Sequence, residues 1–431
     1  MSLQFLKKRV GLVEMHSSPG AIPAPQTVPA LPVPICFPLA GDIPVGGGHV
    51  SVLLLIRNLD RRRFRPIIAV HGDGPVRRWL AEQDGAPEIE PLEPCVRDRH
   101  RVRSGDVALI CRGSWALARF LRGRKVEIVH VNDTIMLGTW ALATRLAGVK
   151  LLWHKRGRWN DRWLHRLWFR LADHVIAVSR YAAPPRPSPK CSIIYNAIEE
   201  EPTRVDRAVS RQHLLDELGL PPNTNILGFF GDIDKKHKRP GVFLEIVGLI
   251  RAQSPQLRVD GLLFGQSSLA TERKLRSRAE SLGIADRIHL MGFRYPPGPW
   301  LAGCDLLVVP GVHQGFGRTL IEAMLVGTIA LAADSGGHRE IIKEGETGLL
   351  VPPDDAQAFA DRACQLLARP DEIAALARRA RKDALDRFGT HRHVQSVSKV
   401  YDVLLSSRQA PAGSSSSAAG RGRRGCAARG S

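Results

Sequence analysis

The sequence has no long apolar run and no paired cysteines. Its longest stretch without a charged residue, residues 15–41, contains seven prolines, which prevent a continuous membrane-spanning helix of about 20 residues. The seven cysteines are scattered, and no two of them form a C-x-x-C pair. This pattern argues against a disulfide framework and against a zinc site, and is typical of a reducing compartment. We therefore expect a cytoplasmic protein.

Acidic residues are in the minority. The 42 Asp and Glu residues stand against 62 Lys and Arg residues, which gives a formal net charge of +20. Such an excess suggests anionic partners, for example nucleotide phosphates, acidic lipid headgroups or nucleic acid. A general preference of the genome for arginine is the alternative explanation. Because the sequence contains no recognised RNA- or DNA-binding motif, we expect no specific nucleic-acid partner.

Short apolar runs alternate with amphipathic segments along the chain. Five runs in the first half, VPICFPL to HVIAVS, and six in the second half, NILGFFGD to GLLVPPDD, predict buried strands. Strands that alternate with helices form parallel sheets with right-handed crossovers. A polar stretch near residues 199–211 separates the two series. The sequence therefore predicts an α/β protein with two doubly wound, Rossmann-like domains that face each other across a cleft.

Composition sets the expected domain boundaries. The Pro/Ala-rich start and the Ser/Gly/Arg-rich end predict disordered segments, and the last amphipathic stretch is expected to be a helix that returns to the first domain. We expect an extension at 1–30, a first domain at 31–200, a second domain at 201–388, the returning helix at 389–407 and a basic tail at 408–431.

Two loops at predicted strand ends carry residues that suit a phosphate. Gly46, Gly47 and Gly48 separate the first strand from its helix, so that a ligand can approach the backbone and the N–H groups at the helix start. A plain glycine turn is the alternative. After the first strand of the second series, a basic cluster precedes a helix and suits a diphosphate; a solvated loop is the alternative. Its members are Lys235, Lys236, Lys238 and Arg239.

A third loop, HQGFGRTLIEAM at residues 313–324, also leads into a helix. Its backbone N–H groups at 316–319 can hold a diphosphate. Glu322, in the first turns of the helix, can accept hydrogen bonds from the vicinal hydroxyls of a ribose. The alternative is a glutamate that only favours the helix dipole. The stretch DSGGHREII repeats the arrangement after the next strand, with Gly336 and Gly337 in its loop.

These motifs resemble those of retaining glycosyltransferases of the GT-B fold, in the large group 1 (family 4) class. The second domain matches densely, and the first domain matches more loosely. The resemblance covers about residues 33–406. It is carried by GDIDKKHKRP, HLMGF, CDLLVVPG, QGFGRTLIEAMLVGTIALAADSGGHREII and EGETGLLVPPDD, and in the first domain by GGGHVSVLLLIRNLDRRRFRP, HVNDT, LADHVIAVS and IIYNAI.

The resemblance implies a nucleotide-diphosphate sugar as the donor, bound mainly by the second domain, and a sugar, lipid-linked or polysaccharide acceptor on the first. It also implies retention of the anomeric configuration without a metal or another cofactor. Stabilising the charge of the departing diphosphate is then the main catalytic demand. That phosphate can itself take the acceptor's proton.

Site residues follow from the resemblance by position. The implied catalytic residues are His154, beside the reacting sugar, Gln314, and Glu322, on the ribose. Lys238 would bind the diphosphate, and the loop at 292–293 would meet the base. The implied donor-binding residues are Gly46, Gly47, Gly48, Lys235, Lys236, Lys238, Gly292, Phe293, Gly315, Phe316, Gly317, Arg318, Thr319, Glu322, Gly336 and Gly337.

Two positions depart from the family pattern. Asp232 stands where the family often has arginine, and Lys235 or Lys236 could supply the missing cation. Gln314 stands where the family's E-x7-E pattern starts with glutamate. An amide keeps the hydrogen-bonding capacity but removes the charge, so that stabilisation of positive charge at the anomeric carbon weakens. We hypothesise that Gln314 adapts the pocket to another donor, for example one with its own carboxylate; loss of activity is the rival explanation.

The stretch at 154–173 interleaves arginines with tryptophans. Trp159, Trp163, Leu167 and Leu171 recur every four residues, as on one face of a helix. Such a helix can lie on an anionic membrane surface, at the inner face of the membrane, and present the cleft to a lipid-linked acceptor. The alternative is a helix that covers the first sheet with its arginines in solvent. RDRHRVR at 97–103 adds a basic loop.

The sequence as a whole favours a glycosyltransferase of cell-envelope or exopolysaccharide biosynthesis, cytoplasmic or peripheral at the membrane. An epimerase or a phosphorylase on the same scaffold is a second enzyme hypothesis. A non-catalytic nucleotide-sugar-binding protein is the alternative from another class.

Overall fold

Two parallel sheets form the framework of the protein, for which a computed structural model describes residues 31–83, 89–92, 106–159, 163–198 and 205–409. The first sheet has the strand order β3-β2-β1-β4-β5-β6-β7 and the second the order β10-β9-β8-β11-β12-β13. The strands are β1 (Val33–Ala40), β2 (Phe64–His71), β3 (Ile89–Leu92), β4 (Ile128–Val131), β5 (Lys150–Lys155), β6 (His174–Ala177), β7 (Cys191–Ile193), β8 (Asn225–Phe230), β9 (Val259–Phe264), β10 (Ile288–Gly292), β11 (Leu306–Val309), β12 (Ile329–Ala333) and β13 (Leu349–Val351).

Helices cover both faces of each sheet. In the first domain they are α1 (Gly47–Asn58), α2 (Pro75–Ala81), α3 (Asp106–Gly123), α4 (Thr134–Ala147) and α5 (Trp163–Leu171). The rest of the chain contains α6 (Arg207–Leu218), α7 (Pro240–Gln253), α8 (Leu269–Ser281), α9 (Gly298–Gly303), α10 (Arg318–Val326), α11 (His338–Ile341), α12 (Ala356–Leu367), α13 (Pro370–Phe388) and α14 (Thr390–Gln409).

The eleven strands that the sequence predicted are all present, and the prediction of two doubly wound domains is confirmed. These strands are almost continuous apolar runs because helices bury both of their faces; all six residues of β9, for example, are buried. Strands β3 and β7 were not predicted from the sequence. Both are short edge strands, of four and three residues, and most of their residues are only half-buried.

The last helix, α14, lies against the first domain. Its Tyr401 is fully buried and packs edge-on against Phe64, with ring centroids 5.3 Å apart. Nearby, Arg63 Nη2 and Asp402 Oδ1 form an ion pair at 2.6 Å. The chain therefore runs from the second domain across to α1 and the first sheet.

Helix α5 differs from its expected orientation. Trp159, which precedes the helix, and Leu171 pack on the core beneath α3 and α4, together with Trp168 and Phe169. Trp163 and Leu167 point the other way and are 74% and 39% exposed. The single apolar face predicted for 159–171 is therefore wrong, because Trp159 and Leu171 face the core whereas Trp163 and Leu167 face outward.

Several expectations fall on residues that the structure does not describe. These are the extension at 1–30, residues 410–431 of the basic tail, the basic loop at 97–103 and part of the domain junction, 199–204. Within the described ranges, no helix combines the length and the apolar character needed to cross a bilayer.

Candidate functional site

The carboxyl ends of β11 and β12 bring two glycine-containing loops into direct contact. The backbone N–H of Gly337 donates to Gln314 O at 2.9 Å. Gly336 has φ +62°, and a Cβ added there would lie 2.5 Å from that same oxygen. These two glycines therefore hold the loop at 310–317 in place by backbone packing.

Lys238 and Gln314 face each other at the centre of this group. Lys238 Nζ donates to Gln314 Oε1 at 2.6 Å. Since an ammonium group has no acceptor, the amide must present its oxygen to it. The amide nitrogen Nε2 is buried and has no hydrogen-bond partner in the described parts of the chain, and Gln314 is only 9% exposed. Burial lowers the pKa of Lys238, and the charges of Asp232 and Glu322 partly oppose that shift.

The other lysines of the predicted basic cluster lie apart from Gln314. Lys235 and Lys236 are exposed, and Lys235 Nζ lies 3.8 Å from Asp232 Oδ2. Of the three predicted lysines, the structure thus places only Lys238 against the loop at 310–317.

Arg318, the first residue of α10, joins the two domains. Its Nη1 donates to Ser51 Oγ of α1 at 2.5 Å and to Ala197 O at 3.0 Å. Its Nη2 donates to Glu322 Oε1 at 3.0 Å, and both of these side chains are largely buried. A Cβ added at Gly47 would come within 2.9 Å of Arg318 Cδ. The glycine turn of the first domain therefore lies directly on this arginine.

The loop between Gln314 and Arg318 contributes backbone rather than side chains. The ring of Phe316 is buried and stacks on Tyr195, with centroids 5.6 Å apart. Ser179 donates a hydrogen bond to the carbonyl of Gly315. Gly317 has φ +156° and lies just before Arg318 and Thr319, where α10 begins. Only the main-chain groups of Phe316 can face a ligand here.

Gly292 and Phe293 lie elsewhere on the second sheet. Both are at the end of β10, the edge strand, which β9 and β8 separate from β11. Phe293 is 52% exposed. Three strand spacings correspond to about 14 Å, so the structure brings these residues to the same edge of the sheet as Gln314 but not into contact with it.

His154 is fully buried inside the first domain. Its Nδ1 lies 3.1 Å from His130 Nε2, whose Nδ1 in turn lies 2.7 Å from the Tyr401 hydroxyl. The His154 ring also stacks on His393, with centroids 5.9 Å apart. Burial, and next the charge of Arg156, lower the pKa of His154 well below its usual value. No part of this side chain lies on the cleft surface, unlike the position beside a sugar that the resemblance implied.

Arg156 occupies the cleft position instead. It follows β5 directly and lies two residues beyond His154. Its Nη2 donates to Asn132 Oδ1 at 2.8 Å and its Nη1 to Asn196 Oδ1 at 2.5 Å. From the sequence, Arg156 was expected on the amphipathic helix predicted in the stretch at 154–173. Side chains along a strand alternate with a period of two, so Arg156 lies on the same side of the chain as His154 and just beyond the strand's carboxyl end. This spacing is the sequence signal that points to Arg156.

The described parts of the chain contain no cluster of three or more His, Cys, Asp or Glu side chains arranged to hold a metal ion. The groups that converge between the domains are mainly cations, amides and backbone N–H groups, and the carboxylate of Glu322 among them is paired with Arg318. Such an arrangement suits an anionic ligand.

Family models match both domains. One, Glycosyl transferases group 1, matches residues 224–369, and another, Glycosyltransferase Family 4, matches residues 45–201. The chain belongs to the group 1 (family 4) glycosyltransferases. Like other members of this family, it has the GT-B fold. HepE of Anabaena, solved with UDP-glucose, aligns with a TM-score of 0.72 at 21% identity, over 86% of this chain and 99% of HepE.

Curated relatives of this glycosyltransferase chain match over part of their length. A D-inositol 3-phosphate glycosyltransferase of Thermobispora bispora is 34% identical over 212 residues, which are 46% of this chain and 48% of that protein. The lipopolysaccharide core biosynthesis mannosyltransferase LpsB of Rhizobium meliloti is 28% identical over 241 residues, which are 55% of this chain and 67% of LpsB. The chain spans about half of the length of several curated relatives that it matches.

Proposed function

We propose that the protein transfers a sugar from a nucleotide-diphosphate donor, with retention of configuration and without a metal. The observation that carries this proposal is the contact of Arg318, at the start of α10, with the Gly46–Gly48 turn of the other domain, next to the loop whose Gln314 binds Lys238. These groups supply cations and N–H donors at one point between two parallel sheets. The Anabaena relative solved with UDP-glucose supports a donor of this class.

The charge of the site fits the chemistry of the leaving group. As the sugar–phosphate bond breaks, negative charge grows on the diphosphate, and preorganised donors in a buried site stabilise it. Lys238 and the N–H groups at 316–319 supply these donors in our proposal. The departing phosphate then accepts the proton of the acceptor hydroxyl.

Glu322 is suited to the ribose of the donor. Its Oε1 is bonded to Arg318, which orients the carboxylate and leaves Oε2 for a hydroxyl group. The residues at 292–293 lie about 14 Å along the same sheet edge. An elongated nucleotide can therefore place its base there and its diphosphate at α10.

The acceptor side is the first domain, and we propose that it operates at a membrane. A cavity of about 710 Å³ opens beside the start of α5, lined by Arg158, Trp159, His165 and Tyr181 among others. Next to it, α3, α4 and α5 form an outer face, away from the sheet, that exposes apolar side chains. This outer face comprises Trp115, Ile135, Leu142, Leu146, Trp163 and Leu167, with Arg119, Arg122, Arg145, Arg166 and Arg170 among them.

Charge supports an anionic lipid surface for this outer face. Apart from Asp106 at the start of α3, the three helices contain no acidic residue. Apolar side chains interspersed with arginine favour the interface of an anionic bilayer. A lipid-linked acceptor of cell-envelope or exopolysaccharide biosynthesis would meet the cleft from this side.

Calorimetric titration with UDP and GDP, followed by an assay of donor hydrolysis and transfer, tests the proposal. We expect micromolar binding of one diphosphate and turnover of its sugar conjugate with a retained anomer. Binding without turnover would instead favour a non-catalytic nucleotide-sugar-binding protein. Absence of binding to either diphosphate contradicts the proposal.

A further inference from the structure

Arg156 is a cation without a carboxylate partner at the boundary between the two domains. Among the described residues it makes no ion pair, whereas neighbouring Arg318 is paired with Glu322. Its hydrogen bonds go to Asn132 and Asn196, two buried neutral amides. The nearby carboxylate of Asp133 accepts from Met136 N as the cap of α4.

The two asparagines fix the guanidinium but do not neutralise it. Asn132 Oδ1 accepts from both Nε, at 3.3 Å, and Nη2, at 2.8 Å. Asn196 Oδ1 accepts from Nη1. A guanidinium has five N–H donors in a rigid fork, so one N–H on each terminal nitrogen has no acceptor among the described residues and can take a further one. Such a fork matches two oxygens of a phosphate.

The charge of Arg318 repels that of Arg156, and the carboxylate of Asp133 offsets only part of this effect. Burial, and next the charge of Arg318, lower the pKa of Arg156 to about 9. The imidazoles of His49, His130, His154 and His393 have lowered pKa values because of burial, with a further contribution from the charge of Arg156. They are therefore neutral near pH 7. A buried charge of this kind is costly until a counter-ion arrives.

Glycines enclose the space around the two arginines. A Cβ at Gly48 would lie 3.4 Å from Arg156 Cδ, and a Cβ at Gly47 would lie 2.9 Å from Arg318 Cδ. Across the domain boundary, a Cβ at Gly315 would lie 2.3 Å from Arg156 O. Both cations thus lie against one glycine turn, at the point where the first domain meets the loop before α10.

We propose that Arg156 binds the sugar-linked phosphate of the donor and thereby supplies the first domain's own cation for the diphosphate. This inference rests on the proposed function and assigns a residue to it. The second domain contributes Lys238 and the start of α10 to the diphosphate. Arg156 and Arg318 then share the distal phosphate, whose charge grows when the glycosidic bond breaks. Binding of the donor also relieves the repulsion between the two arginines.

Titration of wild type, Arg156→Gln and Arg156→Lys with UDP, UMP, GDP and GMP tests this inference. Loss of a charge-assisted hydrogen bond at a buried site predicts about ten- to a hundredfold weaker binding of the diphosphate. Binding of the monophosphate should change by less than about threefold, because it lacks the distal phosphate. The diphosphate affinity of Arg156→Lys should lie between those of wild type and Arg156→Gln, since lysine keeps the charge but loses the forked pair of N–H donors.

Arg61→Gln is the matched control, because Arg61 is exposed on the turn before β2, at the opposite end of the sheet. Should Arg156→Gln fail to fold, as judged by its melting curve, the lysine variant carries the test. Equal losses for monophosphate and diphosphate, or unchanged diphosphate binding with a raised KM for the acceptor, would overturn the inference. If wild type binds neither diphosphate, the proposed function itself fails.

Discussion

Lys238 Nζ donates a 2.6 Å hydrogen bond to Gln314 Oε1, at the position where the family pattern has a glutamate. A carboxylate here would form an ion pair with Lys238. The amide does not neutralise the lysine, and it adds a buried N–H donor, Nε2, that has no hydrogen-bond partner among the described residues. The pair therefore presents donors only, which suits a donor sugar that brings its own acceptors, such as a carboxylate.

Replacing Gln314 by Glu tests this interpretation. We expect the ratio of turnover with a neutral hexose donor to turnover with a uronic acid donor to rise at least about tenfold, or 1.4 kcal/mol. The physical reason is repulsion between two carboxylates, combined with neutralisation of Lys238. A donor-profiling assay gives this ratio directly. An unchanged ratio would show that Gln314 does not select the sugar.

Gly336→Ala should damage both stability and donor binding. The residue has φ +62°, and its Cβ would lie 2.5 Å from Gln314 O. Gly345→Ala is a matched control, because Gly345 has φ +71° and nothing within 4 Å of its Cβ position. Each variant should lose about 1–2 kcal/mol from the left-handed backbone. Gly336→Ala should lose about 1–3 kcal/mol more through the collision.

Urea denaturation and nucleotide titration separate the two effects. If both alanine variants are destabilised equally, the close packing of the two loops is not energetically important.

The buried histidines should make the protein acid-sensitive. Burial, as the largest cause, lowers the pKa of His393 to about 4, below the value of about 6.5 in the unfolded chain. Between these values the unfolded state binds more protons than the folded state, so the free energy of unfolding decreases as the pH falls. One such residue contributes a slope of about 1.4 kcal/mol per pH unit.

Denaturation curves give the free energy of unfolding at each pH. Between pH 6.5 and 4, the slope of this free energy against pH should be smaller in His393→Gln than in wild type, by the equivalent of about one proton. The exposed neighbour His391 provides the control variant His391→Gln, which should keep the wild-type slope. An identical slope in all three proteins would place the acid sensitivity elsewhere.

The outer face of α3, α4 and α5 should determine membrane binding. Trp115 and Trp163 are 63% and 74% exposed there. Replacing both by Ser should reduce flotation with anionic vesicles by at least about tenfold, since aromatic side chains at the interface supply much of the affinity. Leu269→Ser, at a 72% exposed position on α8 of the second domain, should float like wild type.

High salt should also weaken the binding, because arginines contribute part of it. Equal flotation of the tryptophan variant and wild type, or equal binding to neutral vesicles, would contradict the membrane surface.

Sequence patterns predicted the framework and several of the residues that meet between the two domains. Strand positions followed from apolar runs, and Lys238 and Glu322 from loops at strand ends. Three features depended on distant contacts that no local pattern contains. Arg318 meets Ser51 from 267 positions away in the chain, the ring of Phe316 is held in the core by Tyr195, and α14 covers the histidines beneath the cleft.

The end of β5 shows most clearly why local sequence patterns do not determine which side chain reaches the cleft. His154 and Arg156 lie two residues apart, so they share one face of the strand and its exit. Residue type favoured His154 as the side chain in the cleft. In the structure, His130 and His393 pack against His154 and bury it, and Arg156 lies at the cleft. Only tertiary packing decides between them.

The most direct test of the account is the affinity of the Lys238→Met variant for UDP and GDP. Lys238 contacts Gln314 beside α10, whereas Lys274 is exposed on α8 and gives the control Lys274→Met. Calorimetry should show binding of the preferred diphosphate weakened by about ten- to a hundredfold in Lys238→Met and unchanged in Lys274→Met. Wild-type affinity in the Lys238→Met variant would contradict a diphosphate site between the two domains.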